Sequence, residues 1–129
     1  MGAENGASPA RKRSVAAVVV TYNRKELLLE CLDCLATQDL GGLGDAYELS
    51  VIVVDNASTD GTQEALAPLV ASGRLVYHNT GENLGGAGGF NFGMRVAVEA
   101  GYDFVWVMDD DCMAHSDTLR ELLLAGEGL

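Results

Sequence analysis

Basic residues are scarce in this chain. Lys and Arg number 8 against 19 Asp and Glu, for a formal net charge of −11. A nucleic-acid binder needs a basic face, so nucleic acid is excluded as a partner; a nucleotide held through a bridging cation is not. No apolar run approaches the ~18 residues of a membrane span. The opening MGAENGASPARKRS lacks the apolar middle of a secretory signal, and Gly6 stands where a myristoylation pattern wants Ser or Thr. Cysteine is sparse as well: three in all, too few and too odd for a disulfide framework. Cys31 and Cys34 form a C-x-x-C, but within KELLLECLDCLATQ both join a helical apolar stripe. No second ligand pair accompanies them, and the only histidines are His78 and His115. Core packing is the expectation, in a reduced, cytoplasmic setting.

What is present describes one domain. The 129 residues are 48% hydrophobic, enough to bury roughly two-thirds of the surface the unfolded chain exposes. Residues 1–14 are expected to be a flexible tail ending in the basic cluster Arg11, Lys12 and Arg13, solvated unless it meets an anionic membrane surface. SVAAVVVTY is a continuous β-branched run, as expected of a strand buried on both faces. Asn23 then opens a helix through a near capping box with Glu26, and Leu27, Leu28, Cys31, Leu32 and Leu35 make its apolar face. LSVIVVDN is a second buried strand ending in Asp55. A helix from Thr62 to about Val70 follows, with Asp60 as its cap. RLVYHN is a short third strand, and Phe90 to Ala100 a third helix. YDFVWVMDDD is a fourth strand, and SDTLRELLLAG a last helix capped by Ser116. This alternation predicts an α/β fold: a mostly parallel sheet with helices on both faces. Ligands of such sheets bind outside the carboxyl ends of the strands. The unusual clusters all fall there: Thr21 to Arg24, Asp55 to Ser58, the glycine-rich segment, and Asp109 to Asp111.

Each cluster has a bland and a functional reading. In DDD, residues i and i+2 of a strand share a side, so Asp109 and Asp111 are expected to point together while Asp110 faces elsewhere. Two such carboxylates repel unless a cation joins them. Mg²⁺ or Mn²⁺, which take one or two carboxylates plus substrate phosphates, would suit; the alternative is a solvated acidic turn. Asp55 either caps the DNAS turn or accepts from a ribose hydroxyl or a base N–H. The glycines crowd between Asn79 and Arg95 (Gly81, Gly85, Gly86, Gly88, Gly89, Gly93). They offer room for a sugar diphosphate against backbone, with Asn83 and Asn91 as polar contacts, or else form a tight structural turn. Neither G-x-G-x-x-G nor a P-loop is present. Tyr22 and Arg24 would suit a base and a diphosphate, or else belong to a helix-entry surface. His115 is a surface residue or completes a metal site, and Trp106 belongs to the core.

In this order and spacing, VVVTYNR, VIVVDNASTDGT, NLGGAGGFNFG and WVMDDD resemble the nucleotide-sugar half of the inverting family 2 glycosyltransferases of GT-A fold. The full DDD after NLGGAGGF is most similar to galactofuranosyltransferases of the actinobacterial cell wall, with rhamnosyltransferases next. The resemblance implies that Thr21, Tyr22 and Arg24 line the nucleotide pocket, that Asp55 bonds the uracil or ribose, and that Asn83, Gly85 and Gly86 lie under the diphosphate and donor sugar. It implies Asp109 and Asp111 as the D-x-D pair on Mn²⁺ or Mg²⁺, with Asp110 near the sugar. It further implies a UDP-sugar donor, a glycan or glycolipid acceptor, and peripheral association of the full-length enzyme with the inner membrane face; an oligomer is compatible with it. Residues 15–129 then correspond to the nucleotide-sugar-binding part, stopping before the acceptor half and its carboxylate general base. The expectation is donor binding with little or no turnover by this chain alone. A sugar-phosphate nucleotidyltransferase is the competing enzyme class, but VVVTYNRKELL passes straight into a helix without that class's glycine- and arginine-rich loop. A non-catalytic binding module is the third reading.

Overall fold

The computed structural model describes residues 12–127. It contains a four-stranded sheet in the order β3-β2-β1-β4, every adjacent pair parallel. The strands are β1 (Arg13–Thr21), β2 (Tyr47–Asp55), β3 (Val76–Asn79) and β4 (Phe104–Asp109), and the helices α1 (Lys25–Ala36), α2 (Thr62–Ala71), α3 (Gly85–Glu99) and α4 (Thr118–Glu127). A 3-10 turn, Gly41–Asp45, joins α1 to β2. The α/β architecture expected from the alternation is the one observed.

The central strand explains the two-sided hydrophobicity of SVAAVVVT. Successive side chains point to opposite faces. Ala17 and Val19 pack with Leu28, Cys31, Leu32 and Leu35 of α1 and Leu66 of α2, and Val15 with Tyr47 and with Leu119 and Leu123 of α4. Ala16, Val18 and Val20 face the other way, against Ala97, Phe90, Phe92 and Val96 of α3. Trp106 joins the core partly buried, at the junction of the first two groups.

Several local expectations change. β1 begins at Arg13, and Ser14 is buried and bonded to Asp103, so the strand starts before Val15; Arg11 and the rest of the tail lie outside the described residues. Leu27 is exposed rather than part of the α1 stripe. Asn23 does not cap α1: it takes a left-handed φ of 51°, and its Oδ1 accepts from Thr59 N–H at 2.7 Å. The first N–H of α1, on Lys25, donates instead to Asp60 Oδ2 at 3.0 Å. The other oxygen of Asp60 accepts from Thr62 N–H at 3.2 Å, so one carboxylate serves two helix N-termini. At α4, Gln38 Oε1 accepts from Leu119 N–H at 2.9 Å where Ser116 was expected to cap.

The third helix differs most, because it begins at Gly85 rather than Phe90. Glycine weakens a helix interior by roughly 0.5–1 kcal/mol, and that penalty argues for a loop here. Packing overrides it. A Cβ on Gly93 would stand 2.3 Å from Val18 Cγ1, and one on Gly89 2.6 Å from Val20 Cγ1. These two glycines let α3 lie flush against the sheet, so part of the glycine density answers to close packing.

Candidate functional site

The strand register sets the site. Thr21, Asp55 and Asn79 end their strands in one row, and Asp109 pairs with Val20. Asp110 therefore arrives beside Thr21, whose hydroxyl donates to Asp110 Oδ2 at 2.9 Å. Arg24 Nη1 lies 3.5 Å from Asp110 Oδ1 and 3.8 Å from Asp111 Oδ2. β4 ends at Asp109, and Asp110 and Asp111 sit in the turn after it, so strand alternation does not govern the triplet. Burial does. Asp110 is 4% exposed, while Asp109 and Asp111 face solvent. Burial pushes the Asp110 carboxyl above its ordinary range, the Thr21 hydroxyl and Arg24 oppose the shift, and Asp111 and Asp109 add to it.

Asp55 is fully buried. Its Oδ1 accepts from Ser58 N–H at 2.9 Å and its Oδ2 from the Tyr77 hydroxyl at 2.6 Å. The turn-capping bond is thus present, and two of the carboxylate's roughly four lone-pair sites are taken. Burial, with the bond to Asp55, raises the Tyr77 hydroxyl above its ordinary range and keeps it a donor. Tyr77 is absent from the sequence-based site; its position two residues from the end of a strand adjoining Asp55 is the signal that could have found it.

Asn56 was missed as well, and it joins the clusters. Buried at 2% exposure, it donates from Nδ2 to the Gly85 carbonyl at 3.1 Å and accepts at Oδ1 from Leu84 N–H at 3.4 Å. Its own N–H donates to the Thr21 carbonyl at 3.0 Å. A hydrogen-bonded path therefore runs from the start of α3 through Asn56 and Thr21 to Asp110. The triplet and the glycine segment lie on one rim. Gly85, at φ 77°, donates its N–H to Asn83 Oδ1 at 2.9 Å. Nothing lies within 4 Å of a Cβ built on Gly85 or Gly86, so the start of α3 is an open shelf of backbone. Tyr22, Asn83 and Asn91 are exposed.

Other candidates separate from this rim. His115 is exposed and follows Asp111 in a loop; among the described residues no three His, Cys, Asp or Glu side chains are grouped to hold a metal. The three cysteines are free, and Cys31 is a core residue whose thiol burial pushes up to about 12. A cavity of about 910 Å³ lies against the C-terminal half of α1, Tyr47 to Val51 of β2 and Leu69 to Leu75, and none of the rim residues lines it. Chemistry favours the rim over volume. The convergent carboxylates, the guanidinium and the exposed backbone are all there, where parallel sheets bind ligands.

Residues 16–126 match the profile described as Glycosyl transferase family 2. The chain belongs to this family. Among curated relatives of the family 2 chain, galactofuranosyltransferase GlfT1 of Mycobacterium tuberculosis is 40% identical over 115 residues, covering 87% of this chain and 35% of that protein. The Mycolicibacterium smegmatis GlfT1 is 37% identical over 113 residues, covering 86% and 34%. The chain thus spans about a third of the length of these relatives. Among solved structures, S. aureus TarS 1–349 in complex with UDP superposes with a TM-score of 0.72 at 28% identity, over 89% of this chain and 32% of that one. Mannosyltransferase PcManGT from Pyrobaculum calidifontis, in complex with GDP-Man and Mn²⁺, superposes with a TM-score of 0.68 at 28% identity, over 93% and 34%.

The donor set at the rim fits a hard divalent cation. It is all oxygen, two of its carboxylates are exposed, and a guanidinium already stands against the cluster as a stand-in cation. With no third protein ligand grouped there, such an ion would complete its shell with phosphate oxygens and water, as Mg²⁺ commonly does.

Proposed function

We propose that this chain is the donor-binding portion of a glycosyltransferase that takes a UDP-sugar, UDP-galactofuranose being the first candidate, for inverting transfer to a cell-wall glycan or glycolipid. The observation that carries the reading is the hydrogen-bonded rim joining the acidic triplet to the open backbone shelf. The family, the UDP complex of the structural neighbour and the GlfT1 relatives support it.

In this reading Asp109 and Asp111 hold Mn²⁺ or Mg²⁺, a use supported by the Mn²⁺ complex of PcManGT. The bound ion supplies Lewis acidity to the diphosphate leaving group. Asp110, braced by Thr21, stands toward the donor sugar. The exposed ring of Tyr22 offers a face for the base, and Arg24 a fork for phosphate oxygens. Asp55 has two lone-pair sites left for a uracil N–H or ribose hydroxyl, and because it is fully buried its neighbours must shift for that contact to form. Asn83, Gly85 and Gly86 form the floor under the diphosphate. The acceptor groove and general base are assigned to no residue here. Among the described residues no helix is long and apolar enough to cross a membrane; a cytoplasmic enzyme meeting its acceptor at the inner membrane face follows from the resemblance.

Calorimetric titration with UDP, dTDP and NAD, each with and without Mn²⁺, tests the reading. UDP binding that depends on Mn²⁺ and is lost in Asp109→Ala and Asp111→Ala is the expected result. Preference for dTDP would move the donor to a dTDP-rhamnose type. Binding of NAD in place of either nucleotide would overturn the assignment.

A further inference from the structure

Arg24 occupies an unusual place on this rim. Its Nη1 lies within 4 Å of carboxylates of both Asp110 and Asp111, and no other cation among the described residues is paired with the triplet. The side chain is 54% exposed. The backbone before it is pinned. Asn23 N–H donates to Ser58 Oγ at 2.8 Å, Asn23 Oδ1 accepts from Thr59, and the next residue, Lys25, is held by Asp60. The guanidinium can therefore swing without moving the rim. A divalent cation held by Asp109 and Asp111 would share Asp111 with the guanidinium and repel it, so the two compete.

We propose that Arg24 is an exchangeable counter-ion. It offsets part of the triplet's negative charge when no ligand is bound, opposes cation binding without nucleotide, and passes to the diphosphate when nucleotide and cation arrive together. The inference rests on the donor-binding reading above and adds an order to it. Because coupling between two ligands is reciprocal, a residue that resists the first ligand alone and welcomes the second strengthens their mutual dependence. The metal then stays weakly held until a nucleotide is present.

The test is Mn²⁺ binding to the purified 129-residue chain, followed by the loss of the free-ion EPR signal, with and without UDP, alongside calorimetry for UDP. The guanidinium is half-exposed and its contacts are long, 3.5 Å and 3.8 Å, so its hold on the triplet is weak. Arg24→Gln is therefore expected to tighten Mn²⁺ binding without UDP by up to about fivefold, and to weaken UDP binding at saturating Mn²⁺ by about tenfold. The cooperativity between them falls. Lys25→Gln removes the same charge one residue away, where no pair with the triplet exists, and should leave Mn²⁺ affinity nearly unchanged. Arg24→Lys should restore part of the cooperativity. If Mn²⁺ binds the wild type with UDP but Arg24→Gln leaves its affinity without UDP unchanged or weaker, the counter-ion role is wrong while the donor site stands. Equal tightening by both glutamine variants also overturns it, as a general field effect. A wild type that binds no Mn²⁺ even with UDP sinks the metal reading itself, and the counter-ion role with it.

Discussion

Substituting alanine along the glycine run should give opposite signs a few residues apart, and Gly93→Ala is the most informative position. Its Cβ would stand 2.3 Å from Val18 Cγ1 and 3.0 Å from Val54 Cγ2. Carbon atoms prefer about 3.5–4.0 Å, so something must give by more than an ångström. Val18 and Val54 are both fully buried, and a β-branched side chain has little χ1 freedom to retreat. The helix must lift. Overpacking of this kind costs about 1–3 kcal/mol, against a gain of ~1 kcal/mol from replacing glycine inside a helix. Because neither buried valine can retreat, the upper half of that cost applies, about 2–3 kcal/mol, and we expect a net loss of about 1–2 kcal/mol. Gly86→Ala meets nothing within 4 Å and should instead gain roughly 0.4–1 kcal/mol. Thermal and urea melts report both, since 1 kcal/mol moves Tm by roughly 3–6 °C in a domain of this size. The two properties should also part company at Gly86: on the donor-binding reading, the more stable variant binds UDP less well, because its methyl stands on the shelf. A Gly93→Ala protein as stable as wild type would refute the flush seating of α3, and with it the packing account of the glycines.

Two further outcomes follow from named contacts. Asp60→Ala removes a cap from both α1 and α2 and should cost about 1–3 kcal/mol at pH 7, counting two N-termini at typical values. The Thr62 hydroxyl bond, with the backbone N–H groups, holds the Asp60 carboxyl below 3.8, so its contribution is present above that pH and fades as pH falls through the lower folded value; urea melts at pH 7 and pH 2.5 should show the variant's deficit shrinking in acid. Cys31, raised from 9.0 to about 12 by burial, favours the folded state fully below pH 9 and progressively less as pH rises toward 12, with a slope of up to about 1.4 kcal/mol per pH unit. At pH 8, iodoacetamide should label the partly exposed Cys34 well before Cys31; equal labelling rates would contradict the buried thiol.

The amino-acid sequence by itself determined the layers and the rim on which the unusual clusters gather. Runs such as AAVVV and VIVV are legible because two-sided burial needs apolar residues at every position, and strand–helix alternation then implies a parallel sheet with a functional carboxyl rim. Thr21, Asp55 and Asp109 could be placed there because each is the last residue of such a run. What lay beyond reach depends on partners distant in sequence. Asp60 caps a helix 35 residues earlier, Asn56 holds a carbonyl 29 residues later, and Thr21 bonds to Asp110 across 89. Propensity and periodicity describe neighbours within about a helical turn, so they place α3 after its glycines and give α1 a local cap. Only the strand order β3-β2-β1-β4 brings the valines of β1 under Gly89 and Gly93 and the acidic turn beside Thr21. The tertiary structure decided where the third helix starts, which aspartate is buried and which cation faces the triplet, because each is a matter of distance between strands that are remote along the chain.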